Sequence, residues 1–257
     1  MSTGMLRTIV TAPEPAALHM VLCPFAGGSG GGFRSWYGID DAAVDVSLAV
    51  YPGRDHRMRE PCATDIATLA GQLDQALTAS GIAPGRFILA GHSMGAQVAF
   101  ETCARLERRG EAPAGLVLSG CHAPHLRGRR LLSHLDDEDF LSELVDIGGC
   151  SPELLSDPGL LALFLPMLRA DFRATETYQH PPPSPQQRLR TPALLIHGSG
   201  DEEARHDEVT AWKDWLHDVE GPVAISGDHF YVTRRPRAFL GHTTHRFTTN
   251  STGIHVR

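Results

Sequence analysis

The run Gly91-His92-Ser93-Met94-Gly95 constrains this 257-residue chain more than any other feature. Arg86-Phe87-Ile88-Leu89-Ala90 before it reads as a buried strand, and Ala96 to Arg109 after it has helical spacing closed by Gly110. A serine between such elements sits on a sharp turn that lifts its hydroxyl above a sheet, and glycines two residues to either side let strand and helix approach closely. The following helix then starts at the serine, so the Met94 N–H is a donor to any negative charge developing there. Five residues with two free positions recur by chance; the strand–turn–helix setting makes Ser93 a nucleophile candidate. The plain alternative is a tight turn with an idle serine.

The rest of the chain alternates short apolar runs with helical segments, which points to a mostly parallel central sheet flanked by helices. Further strands are expected at Leu18–Cys23, Val46–Tyr51, Gly115–Ser119, Ala193–His197 and Val223–Ser226. Thr64 to Ser80 places Ile66, Leu69, Ala70, Leu73, Ala76 and Leu77 on one helical face, with Thr64 as N-cap and Gly81 as stop. From about 121 to 190 the rhythm breaks: helical spacing recurs in Asp136–Ile147 and Pro158–Tyr178, no strand is visible, and a stiff Pro181-Pro182-Pro183 stretch closes the interval. This reads as a helical lid insertion in one domain spanning 1–257; an ordinary extra helical layer is the alternative. From Thr243 to 257 the polar, aperiodic sequence predicts a flexible tail.

Composition narrows the setting. A net charge of -7 gives no reason to expect nucleic acid or an anionic membrane as partner, and no apolar run is long enough to span a bilayer. Five scattered cysteines, without a C-x-x-C pair or a signal peptide, fit reduced thiols in a cytoplasmic protein. A monomer is expected.

A serine hydroxyl needs a base, and position must choose among fourteen histidines. His229 follows the last strand directly in Gly227-Asp228-His229-Phe230, whereas His92 should point away from the hydroxyl and His197 lies at a strand end. The orienting carboxylate should follow the preceding strand; Asp201, after Gly198-Ser199-Gly200, fits, with Glu202, Glu203 and Asp228 as rivals. A second oxyanion donor is expected from Phe25 or Ala26 N–H in the glycine-rich run after Cys23. Phe25, Gly27, His92 and Phe230, which adjoin these groups, are expected to contact substrate. That glycine run lacks the Lys-Ser/Thr of a phosphate-binding loop. His122-x-x-His125 and His242-x-x-His245 lack a third metal ligand, so neither a metal nor another cofactor is expected. Arg127, Arg129 and Arg130 form a basic group whose readings are a solvated surface or a docking patch for an acidic partner.

The order Ser, Asp, His after these strands is that of the α/β-hydrolase fold. More narrowly, Cys23-Pro24-Phe25-Ala26-Gly27-Gly28, Tyr51-Pro52-Gly53-Arg54, the Ser93 pentapeptide, Leu168-Arg169-Ala170-Asp171-Phe172 and Gly227-Asp228-His229-Phe230 resemble the type II thioesterases of polyketide and nonribosomal peptide biosynthesis. The resemblance implies an editing enzyme that hydrolyses stalled or wrong acyl or aminoacyl thioesters from the phosphopantetheine arm of acyl or peptidyl carrier proteins. It also implies a Ser93–His229–Asp201 triad, an oxyanion hole of Ala26 and Met94 N–H groups, and a mobile lid. Competing readings are an esterase, lipase or acyltransferase on the same fold, and a catalytically silent carrier-binding protein.

Overall fold

The computed structural model describes residues 4–149 and 157–248. Its centre is a sheet of seven strands: β1 (Leu6–Val10), β2 (His19–Cys23), β3 (Asp45–Ala49), β4 (Phe87–His92), β5 (Gly115–Ser119), β6 (Ala193–Gly198) and β7 (Val219–Ile225). Their spatial order is β1-β3-β2-β4-β5-β6-β7, with β1 antiparallel to β3 and every other pairing parallel. The expected strands are all present. β1 is an addition: with its first three residues half-exposed or exposed and only Ile9 and Val10 buried, this edge strand lacks the continuous apolar run of its neighbours.

Successive residues of the inner strands feed opposite faces of the sheet. Val21, Leu89, Leu116 and Leu195 enter one core, with helices α1 (Ile66–Ser80) and α2 (Met94–Arg108). Met20, Leu22, Ile88, Val117 and Ile196 enter the other, with Trp36 and Phe239. This period of two is what lets one hydrophobic strand hold two layers. Helix α1 starts one residue later than expected: Asp65, not Thr64, is the N-cap, its carboxylate accepting from Thr68 N–H at 2.7 Å. Gly81 ends it at φ 73°.

Between β5 and β6 lie α3 (Asp137–Ile147) and α4 (Pro158–Thr177), close to the two helices expected there. Phe140, Leu141 and Leu144 pack against Met167 and Leu168 in a third apolar cluster, separate from the two sheet cores. Two short helices, α5 (His206–Thr210) and α6 (Tyr231–Arg234), follow β6 and β7.

The C-terminal reading needs correction. Residues 243–248 are not a tail but the last turns of α7 (Pro236–Thr248), in which Thr243 and Phe247 are buried. The signal is weak because this helix interleaves Thr, His and Arg with its few apolar anchors. Residues 249–257 of the expected tail lie outside the described residues. Gly115 makes room for Phe247, since a Cβ there would sit 2.4 Å from the ring. Phe247→Ala should therefore lower stability by about 3 kcal/mol, measured by urea unfolding; a shift within error would restore the tail reading.

Candidate active site

The strand order reverses around β2, which has β3 on one side and β4 on the other. At such a switch point the loops leaving two adjacent strands diverge and open a crevice at their carboxyl ends. Cys23 pairs with Gly91, so the glycine-rich loop after β2 and the turn carrying Ser93 leave the sheet side by side.

Ser93 has φ 55° and ψ -125°, one of two non-glycine residues with positive φ among the described residues. Its N–H donates to Ser119 O at 2.8 Å, which holds the strained turn against β5. The flanking glycines are required by contact distance. A Cβ on Gly91 would lie 2.0 Å from Gly95 O, and one on Gly95 would lie 2.0 Å from Cys23 O. Helix α2 begins at Met94, so the Met94 N–H belongs to the first turn, where no intrahelical acceptor exists.

Two and three strands from β4, the turns after β6 and β7 are laced together. Ser199 N–H donates to Ile225 O at 2.8 Å and Gly200 N–H to Gly227 O at 2.9 Å. This brings Asp201 to His229: Nδ1 lies 2.9 and 3.0 Å from the two carboxylate oxygens. Asp201 Oδ1 also accepts from the N–H groups of Glu203 and Ala204, each at 3.0 Å. Burial pushes the Asp201 carboxyl up, but the hydrogen bond and charge of His229 outweigh it and hold the group below the usual carboxylate range. Of the rivals, Asp228 binds Arg234 and Phe230 N–H, and Glu203 binds Arg130.

A cavity opens over these groups, lined by Ser93 and His229 on the sheet side, Phe25, Ala26 and Phe230 at one wall, and Leu168, Phe172 and Thr175 of α4 above. Phe25 meets the Phe230 ring edge-on at 5.1 Å between centroids. Two of the residues expected to contact substrate, His92 and Gly27, do not line this cavity. His92 is fully buried beneath the cavity, its ring held by Ser119 and by the His229 carbonyl, because the alternation of β4 turns its side chain into the sheet. Gly27 does not line the cavity either; it faces α4, with φ 77° and a would-be Cβ 2.6 Å from Leu168.

That contact belongs to a feature the motif reading did not resolve. Asp171 of α4 is buried and takes a two-pronged ion pair from Arg54, both N–O distances being 2.7 Å. The same carboxylate accepts from Gly27 N–H at 2.7 Å, while Arg54 also reaches Gly28 O at 3.3 Å. One buried pair thus fastens the glycine-rich loop to α4. Its sequence signal was an Arg and an Asp, each inside an otherwise conspicuous run, with nothing to say that they meet.

The basic group at 127–130 reads differently in three dimensions. Arg129 pairs with Glu208, and Arg130 with Glu143 and Glu203, and both line the cavity. Both side chains, 34% and 35% exposed, are therefore paired with carboxylates of the same molecule and do not stand as free cations. Among the described residues no group of three or more His, Cys, Asp and Glu side chains is placed to hold a metal. His125 accepts from Trp215 Nε1 at 2.9 Å. Cys23, Cys62, Cys103 and Cys121 are free thiols, and Cys150 lies outside the described residues.

Two outcomes are expected. Asp171→Asn leaves Arg54 buried without its counter-charge and should cost about 3 kcal/mol in denaturant unfolding; Arg54→Met with Asp171→Leu should recover part of that loss. Second, burial first, and then the neighbouring His229, lower the His92 pKa from the ordinary histidine value of 6.5 to about 3. Between these values the unfolded chain binds a proton that the folded chain does not, so this group makes stability rise with pH, by up to about 1.4 kcal/mol per unit. Unfolding followed from about pH 4 to 7 should show a shallower slope in His92→Gln than in wild type.

Comparison with known proteins supplies the family. The model of the thioesterase domain matches residues 18–247. The probable anguibactin biosynthesis thioesterase AngT of Vibrio anguillarum is 44% identical over 225 residues, which cover 87% of this chain and 89% of that protein. Thioesterase PikA5 of Streptomyces venezuelae is 38% identical over 88% of this chain and 79% of its own. Among solved structures, YbtT, a type II thioesterase from the yersiniabactin NRPS/PKS biosynthetic pathway, superimposes with a TM-score of 0.91 at 50% identity, over 95% of this chain and 98% of that one. Sheet, helices and matched residues agree: the chain belongs to the thioesterase family and has the α/β-hydrolase fold.

Proposed function

We propose that this protein is a type II thioesterase that hydrolyses acyl or aminoacyl groups from the phosphopantetheine thiol of acyl or peptidyl carrier proteins, clearing stalled or wrong intermediates in polyketide or nonribosomal peptide assembly. The reading is carried by one observation: His229, hydrogen-bonded to Asp201, shares a cavity with Ser93, which stands on a strained turn at a helix N-terminus.

In this reading Ser93 Oγ attacks the thioester carbonyl while His229 Nε2 takes the hydroxyl proton. The imidazolium that forms is stabilised by Asp201, which also holds the proton of Nδ1 in place. The negative carbonyl oxygen is met by the Met94 and Ala26 N–H groups. Collapse breaks the C–S bond, and the pantetheine sulfur leaves as a thiol with the proton from His229. Water then attacks the acyl-Ser93 ester, giving its proton to His229; the carboxylic acid departs and Ser93 regains its hydrogen. No other cofactor enters these steps.

Helices α3 and α4 serve as the lid, and their apolar cavity faces hold the acyl chain. Phe25 and Phe230 form the wall beside the reacting carbon. A monomer working in the cytoplasm fits this role, and among the described residues no helix is long and apolar enough to cross a membrane.

The test is mass spectrometry of a panel of acylated carrier domains treated with wild type and Ser93→Ala. Wild type should free the carrier thiol, and the variant should be slower by at least about a thousandfold. Equal release by both would remove the mechanism. Faster cleavage of oxygen esters of matched chain length would make the protein an esterase, and failure of a fluorophosphonate probe to label Ser93 would leave only carrier binding.

A further inference from the structure

His92 precedes the nucleophile candidate, is fully buried, and has no part in the steps above. Its Nε2 lies 2.7 Å from the backbone oxygen of His229, and its Nδ1 lies 2.9 Å from Ser119 Oγ. Ser119 Oγ is in turn hydrogen-bonded to the hydroxyl of Tyr231. The proton order in this chain follows from its acceptor end. A carbonyl oxygen has no proton to give, so Nε2 carries the hydrogen. A neutral ring then offers a lone pair at Nδ1, which must take the Ser119 proton, and the Ser119 oxygen must accept from Tyr231.

The surroundings keep the ring neutral. The titratable groups facing it are His229, whose ring centroid is 5.0 Å away, Tyr231 at 5.1 Å, and Asp201 behind His229; Phe25 presents a ring edge at 6.2 Å. A second cation there would oppose proton uptake by His229, and burial disfavours it as well.

We propose that His92 is a positioning residue: its Nε2–H ties the backbone of the base to the residue before the nucleophile. The link joins the end of β4 to the loop after β7, two elements separated in the sheet by β5 and β6. Drift of the His229 loop away from Ser93 would break this bond. The inference rests on the Ser93–His229–Asp201 reading above.

The side-chain amide nitrogen of Gln can occupy the place of Nε2, whereas that of Asn reaches only the place of Nδ1 on the Ser119 side. His92→Gln should therefore retain most of the wild-type kcat. His92→Asn should lose about 30-fold in kcat on a short acyl thioester, with KM nearly unchanged. Nitrogen-15 imidazole spectra of wild type should show His92 protonated at Nε2 alone from about pH 5 to 8. Equal kcat for folded Gln and Asn variants would overturn the proposal, as would a proton on Nδ1. If the Asn variant does not fold, the decision passes to the spectra and to the Gln variant, whose inactivity while folded would equally overturn it. Failure of the triad reading looks different: Ser93→Ala and His229→Ala would then hydrolyse as fast as wild type.

Discussion

Helix α2 touches the sheet where two glycines replace what would otherwise be side chains. Gly91 and Gly95 leave no room for a methyl group, so β4, the turn at Ser93 and α2 pack backbone to backbone, with the Cys23 carbonyl in the same contact. That closeness forces the positive φ of Ser93, and it directs the first N–H groups of α2 toward the space above the sheet. Everything else in the site is placed relative to this turn. The glycine-rich loop sits beside it because β2 and β4 are hydrogen-bonded neighbours, and Asp201 and His229 face it because two further parallel strands end on the same edge.

Two buried charge arrangements support this geometry in different ways. Against the cost of burial, the hydrogen bond and charge of His229 hold the Asp201 carboxyl below the usual carboxylate range, with a smaller share from the Ala204 N–H; in the proposed mechanism this pair works through a proton that His229 gains and loses. The Arg54–Asp171 pair never needs to change charge. Its two parallel hydrogen bonds fix orientation, and the third, from Gly27, transfers that orientation to the loop carrying Phe25 and Ala26. Such a pair contributes little net stability against an apolar replacement, because both ions are desolvated. Its role makes better sense as geometry than as energy.

How much was legible in the sequence follows from range. The parallel strands, α1 and α2 are written in local apolar periodicity, and Ser93, Asp201 and His229 each follow a strand whose end is readable. The edge strand β1 was missed because one partner and a half-exposed face require little hydrophobicity. Thr64 and Asp65 are both capable caps, and only the hydrogen bond to Thr68 separates them. The end of α7 looked disordered because Phe247 is a single anchor among polar residues, and its value depends on the gap at Gly115, 132 positions earlier in the chain. Arg54 and Asp171, 117 residues apart, are the same problem in charged form. Arg129 and Arg130 looked like a free basic patch because their acidic partners come from α3 and from the chain after β6.

These ties divide the cavity into a fixed half and a more adaptable half. Toward its C-terminus α4 is bound to α2 and to the segments after β2 and β3: Asp171 to Arg54 and Gly27, Thr175 Oγ1 to Gln97 at 2.8 Å, and the capping Tyr178 to Glu101 at 3.5 Å. Toward its N-terminus the helix packs on α3 in a cluster of its own, and Leu160 and Leu163 are exposed to 44% and 47%. Local opening has its lowest cost where buried contacts are fewest. The walls beside Ser93 are thus the more firmly tied part and the far end of the same helix the less, a division that suits the proposed hydrolysis, in which the reacting carbonyl is constant and the attached chain is not.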